Sequence, residues 1–99
     1  MKATFVPIIH SMAAAGIPLA IAQINSKQPN VRRIRAMIVA LIYTHDCLSQ
    51  TDIAELLHCT QASVSRAYRQ HSVMCRNDET YKNEYRFMVN LYRKARQNV

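Results

Sequence analysis

Two helix-start signals, Ser49 and Thr60, stand close together within LSQTDIAELLHCTQASVSRAYRQH, residues 48–71. Ser and Thr at such positions lend a side-chain oxygen to the free N–H groups of a first helical turn. Asp52 stands three residues after Ser49, as a stand-in for the Glu of a capping box. The spacing predicts a short helix buried along Ile53, Ala54, Leu56 and Leu57, a turn at His58-Cys59-Thr60, and a second helix from Gln61 to about His71. On that second helix, at about 100° per residue, Val64, Ala67, Tyr68 and His71 share one side. Ala62, Ser65, Arg66 and Arg69 share the opposite side. Two helices joined so tightly must pack on each other and on a common core, which restricts the chain to a helical domain built around this pair.

The rest of the sequence agrees with an all-α fold. Helix formers dominate, and no alternation of Val, Ile and Thr suggests a sheet. VRRIRAMIVALIYTH, residues 31–45, is apolar on almost every side and is therefore the expected central helix. Its basic first turn, Arg32, Arg33 and Arg35, should emerge from the core at one end. Asp46-Cys47 is the break after it.

Residues 3–26 carry no charge and are mostly apolar. A membrane span or a signal peptide would have this character, but Pro7, Gly16 and Pro18 interrupt the run. Two short helices fit better. Pro7 and Pro18 suit first helical turns, and Gly16 suits a helix end. Ile8, Ile9 and Met12 form one apolar face, and Leu19, Ile21, Ala22 and Ile24 another. NSKQPN, residues 25–30, is the linker, with Pro29-Asn30 starting the next helix.

The last segment begins with Asn77 or Asp78 as a cap. Glu79 favours its N-terminal end, and Arg93, Lys94 and Arg96 favour its C-terminal end. Tyr81, Tyr85, Met88, Tyr92 and Ala95 form a heptad seam, widened by Phe87 and Leu91. Such a stripe serves either a core or a dimer contact; Tyr81, Tyr85, Met88 and Tyr92 are the residues assigned here to dimerisation. The expected organisation is one helical domain over residues 1–99, in an intertwined or helix-packed homodimer. Residues 1–30 form apolar helices also available for dimerisation, 31–76 the core helix and helix pair, and 77–99 the amphipathic end. A chain of this length gains buried surface by association.

The formal charge is +7, with a pI of about 9.8, which points to a polyanionic partner. From Leu56 to Asn77 there is no acid, while Arg66, Arg69 and Arg76 are present. A donor-rich, acid-free helix face with small residues suits the DNA major groove, where Gln reads adenine and Arg reads guanine. The residues expected at DNA are Thr60, Gln61, Ala62, Ser63, Ser65, Arg66, Arg69 and Gln70, with Arg32 and Arg33 from the preceding helix.

The segment resembles the helix-turn-helix of prokaryotic repressors through Gln50, Ile53, Ala54, Leu57, Val64 and Ala67. The resemblance implies that the first helix crosses the DNA backbone and the second reads the groove. His58 stands where that motif usually has glycine, and histidine tolerates a left-handed backbone better than most residues. Over residues 31–95 the order of elements is similar to the Trp repressor group, a fold shared with the DNA-binding domain of the bacterial replication initiator DnaA. LSQ and its spacing to SVSRA carry that likeness. CTQAS replaces the Arg-Asp-His-Thr signature of the initiator, and no residues for tryptophan sensing are matched.

The sequence therefore predicts a double-stranded-DNA-binding regulator, a homodimeric repressor of a phage, plasmid or other prokaryotic operon, cytoplasmic and nucleoid-associated. A two-fold pair would read an inverted repeat with half-sites about 34 Å apart. A helical assembly module without DNA and an initiator-like DNA-binding module are the alternatives. No cofactor, membrane partner or small-molecule ligand is expected. Enzyme chemistry finds no nucleophile–base pair, carboxylate pair or phosphate-cradling glycine loop. Cys47, Cys59 and Cys75 are an odd set without C-x-x-C, which suits reduced thiols. His71 and Cys75 have helical spacing, but no zinc knuckle accompanies them.

Overall fold

In a computed structural model that describes residues 2–24 and 26–97, the chain is all-helical among the described residues. The order is α1 Phe5–Ala15, α2 Leu19–Ala22, α3 Pro29–His45, α4 Gln50–Leu56, α5 Gln61–Asn77 and α6 Glu79–Gln97. Helix α3 is the axis of the core. Every residue from Ala36 to Ile42 is buried, because neighbouring helices cover all sides of its middle turns. Phe5, Ile8 and Met12 of α1, Ile53 of α4, Leu57 after it, Val64 of α5 and Tyr92 of α6 join α3 in one apolar cluster.

Local chemistry sets the boundaries. Gly16 ends α1 at φ 72. Its N–H and that of Ile17 reach back to the carbonyls of Ala13 and Met12, at 3.2 and 2.8 Å. This is the paired closure of a Schellman turn, whose left-handed residue is commonly glycine. Ile17 and Met12 are both buried beneath it. The second apolar helix expected from the sequence is only the single turn α2, with Pro18 at its N-cap. Ala22 is buried, but Ile24 is half exposed, so the expected face is incomplete. The side chain of Arg35 holds the end of this turn, donating from Nε to Ala22 O at 3.1 Å and from Nη2 to Ile24 O. Of the linker, Asn25 lies outside the described residues, and Pro29 opens α3 at its first position.

The N-terminal segment is fastened to the helix pair. Gln23 Nε2 donates to the carbonyl of Leu56 at 2.9 Å, and Lys2 pairs with Asp52. That pairing holds the Asp52 carboxyl below its ordinary pKa, while Ser49 Oγ caps the Asp52 N–H at 3.1 Å. No helix among the described residues is long and apolar enough to cross a membrane.

Helix α6 uses the heptad seam within its own chain. Tyr81 and Tyr92 are fully buried, and Tyr85 and Met88 are half-buried against the core. The assignment of Tyr81 and Tyr92 to a dimer surface is therefore corrected. A chain this small turns its most apolar stripe onto its own core helices, and what α6 presents outward is Phe87, at 67% exposure. The tyrosine hydroxyls are satisfied within the fold. Tyr92 OH donates to Asp46 Oδ2 at 2.6 Å, and Arg96 Nη2 reaches Asp46 Oδ1 at 2.9 Å. This carboxylate sits at the C-cap of α3 and ties it to the end of α6.

Candidate nucleic-acid interface

Helices α4 and α5 form the expected pair, and their caps are those read from the sequence. Ser49 accepts from the Asp52 N–H, and Thr60 Oγ1 accepts from the Ser63 N–H at 3.1 Å. His58, with φ 57, occupies the left-handed position of the intervening turn. The N–H groups of His58 and Cys59 return to the carbonyls of Glu55 and Ala54, at 3.3 and 2.9 Å. The turn is thus the same Schellman closure that Gly16 makes, here built on histidine. Cys47 also has a left-handed backbone, at φ 54, in the connection from α3 to α4.

The second helix is longer than the sequence reading. It runs on through Asn77 rather than ending near His71. HSVMCRN contains no breaker, and the extension packs on α6. His71 Nδ1 lies 2.7 Å from Tyr81 OH, its ring stands edge-on to Tyr85 at 4.3 Å, and Cys75 Sγ lies 3.5 Å from Nε2. Burial lowers the His71 pKa and raises those of Cys59 and Cys75, keeping the imidazole neutral and the thiols protonated. Among the described residues no group of three or more His, Cys, Asp or Glu could hold a metal ion.

The buried face of α5 is Val64, Ala67 and His71, with Tyr68 half-buried and edge-on to Tyr43. Gln61, Ala62, Arg66, Arg69 and Gln70 are exposed; Ser63 and Ser65 are half-buried. Thr60 and Ser63 are bonded to each other through their hydroxyls at 3.0 Å. Arg66 Nη2 donates to Ser63 Oγ at 3.2 Å, which holds its guanidinium along the first turns of the helix. No acidic side chain pairs with Arg66 or Arg69 among the described residues.

The basic turn of α3 divides. Arg32 is exposed on the side of α5, where Arg32, Arg35, Ser63, Arg66 and Gln70 line one cleft with Ser26 and Lys27. Arg33 turns to another side. Its guanidinium reaches Glu84 at 2.9 Å and Asp78 at 3.5 Å, and lies over the Tyr81 ring at 5.2 Å. The expectation that Arg33 joins Arg32 at DNA is corrected on this point, because consecutive helical residues diverge by about 100° and acids of α6 and its cap engage Arg33. Sequence reasoning missed Lys27, Arg35 and Ser26 as neighbours of the second helix. The signal available was the basic content of 27–35, but only folding of the linker brings it alongside α5.

A family model described as MarR family matches residues 33–70, from the first turns of α3 into α5. The match spans less than half of the 99-residue chain. It supports the class of prokaryotic helix-turn-helix regulators and does not reach the Trp repressor or DnaA group specifically. That family is one of winged regulators, whereas here α5 passes through Asp78 directly into α6, with no strand among the described residues. No curated protein and no solved structure matches the chain.

Proposed function

We propose that this protein is a sequence-specific double-stranded-DNA-binding transcriptional regulator, with α5 as the helix that enters the major groove. The observation carrying the reading is the outer face of α5, where Gln61, Ala62, Arg66 and Arg69 stand exposed and free of acid on a helix fixed by the α4–α5 turn. The MarR family match over the same turn supports it independently. Small side chains let the backbone approach base edges, and Arg and Gln supply bidentate donors. Thr60 and Ser63 are proposed to meet the sugar–phosphate rim, Ser65 and Gln70 to flank the reading face.

The functional unit is proposed to be a homodimer on an inverted repeat, acting as a repressor by covering a promoter in a phage, plasmid or other prokaryotic operon. The surface favoured for that contact is the outward side of α6. Exposed Phe87 there borders an apolar groove between α6 and the α1–α2 turn, lined by Ile17, Ile34, Met37, Met88 and Leu91. The half-buried Tyr85 and Met88 would contribute only their outer edges.

Selection of bound sequences from random duplex DNA tests the reading. Enrichment of an inverted repeat with half-sites about 34 Å apart is expected. Arg66→Ala and Arg69→Ala should each weaken binding to the selected site by roughly 5- to 150-fold, the loss of about 1–3 kcal/mol per base-reading contact, and relax preference at particular positions. Variants that bind the selected site as tightly and selectively as the parent would remove α5 from the role assigned to it.

A further inference from the structure

The acids and cations of this chain are unevenly matched. Asp46 pairs with Arg96, Asp52 with Lys2, and Asp78 and Glu84 with Arg33. None of these acids faces the cleft between the linker, the start of α3 and the near shoulder of α5. That cleft gathers Lys27, Arg32, Arg35 and Arg66, with Ser63 and Gln70 as neutral donors. The side chains of Lys27 and Arg32 make no ion pair or hydrogen bond among the described residues. Arg35 is held in place by two backbone carbonyls, which neutralise no charge, and Arg66 is held by a neutral hydroxyl. Cations converging on one concave wall repel each other and focus a positive potential into it. No acidic side chain lines the cleft among the described residues to offset this.

The position of the cleft identifies the missing anion. On the α5 wheel, Ala62 and Arg69 lie near the centre of the outer face. Ser63 and Gln70 lie on the shoulder toward α3, and Arg66 lies between the two groups. A helix in the major groove has the sugar–phosphate rims of the two strands along its shoulders. We infer that the cleft is a phosphate clamp for the DNA backbone, in which Lys27 and Arg32, with Arg35 as a fixed wall, hold a strand beside the groove that α5 reads. This rests on the groove-reading role proposed for α5 and adds a division of labour: the outer face carries sequence preference, while the linker and the start of α3 carry sequence-independent affinity.

The test is the salt dependence of binding to the selected duplex, with Lys27→Ala, Arg32→Gln and the double variant in the full chain. Both side chains are exposed and unbonded, so the variants should keep the parent's unfolding midpoint. Each phosphate contact contributes about 0.9 to the slope of log K against log salt, so each single variant should lower the magnitude of the slope by about 1 and the double variant by about 2. At 0.1 M salt this corresponds to about 8-fold weaker binding per site and about 60-fold for both. Rank order among competing sequences should not change. Arg93→Ala, on another face, should leave slope and affinity at the parental values. Unchanged slopes in Lys27→Ala and Arg32→Gln, with parental DNA binding intact, would overturn the clamp and leave the α5 reading standing. Altered sequence rank would overturn the division of labour by making these side chains base readers. A parent that binds no duplex would overturn both.

Discussion

His58 is the residue whose replacement most directly measures how the helix pair is built. It holds the left-handed position that closes α4, with φ 57, and its side chain is exposed. No hydrogen bond or ring contact of that side chain is present among the described residues. The left-handed conformation costs an L-residue with a Cβ about 1–2 kcal/mol. Glycine escapes this but gives up about 0.5–1 kcal/mol through the greater freedom of its unfolded chain. His58→Gly should therefore stabilise the protein by about 0.5–1 kcal/mol. For a chain of this size that is a rise in Tm of about 2–8 °C. His58→Ala keeps the Cβ and should stay within about 0.5 kcal/mol of the parent. His58→Val, β-branched at a positive φ, should lose stability. Urea and thermal unfolding followed by circular dichroism give all three values. Equal gains from Ala and Gly would show that something other than backbone strain governs this turn, and a loss with Gly would show that the imidazole does more than tolerate the position. The gain should come without loss of DNA affinity, because the caps Ser49 and Thr60 and the face of α5 are untouched.

Asp46→Ala should cost about 2–4 kcal/mol, since it strands the buried hydroxyl of Tyr92 and removes a charged acceptor; Tyr92→Phe should cost about 1–2 kcal/mol, because Arg96 still meets the carboxylate. Urea unfolding of both should give that order, and the reverse order would refute the placement of Asp46 as the shared acceptor. His71 gives a pH signature. Burial sets its folded pKa below the unfolded value of about 6.5, so the unfolded chain takes up the proton first. Stability is full above about pH 6.5 and falls as pH drops below it, by at most about 1.4 kcal/mol per pH unit from this group. Unfolding measured between pH 5.5 and 7.5 should slope less in His71→Gln than in the parent, and parallel curves would refute the assignment.

Much of the local architecture is legible in the sequence because it is decided by neighbours in the chain. The Ser49 and Thr60 caps, the glycine closure at Gly16, the proline start at Pro29 and the Asp78 cap of α6 each need only a side chain and the adjacent turn. The apolar run of α3 likewise announces a helix covered on all sides. The faces of α5 follow from helical geometry, so the exposed Arg66 and Arg69 and the buried Val64 and Ala67 were readable from spacing alone.

What the sequence by itself could not decide is which of two equivalent uses a surface takes. The periodicity of Tyr81, Tyr85, Met88 and Tyr92 is the same for a dimer seam and for a core stripe. Only the arrangement of α1, α3 and α5 around α6 turns Tyr81 and Tyr92 inward. Arg32 and Arg33 are adjacent and chemically alike, yet one lies beside α5 with no ion pair among the described residues and the other is engaged by Asp78 and Glu84 from far along the chain. Lys27 reads as an isolated linker charge until the fold lays the linker against α5. The physical reason is common to all three cases. Caps, turns and amphipathic faces are fixed by short-range geometry, whereas the partner of a charge or an apolar stripe is fixed by contacts between segments distant in sequence.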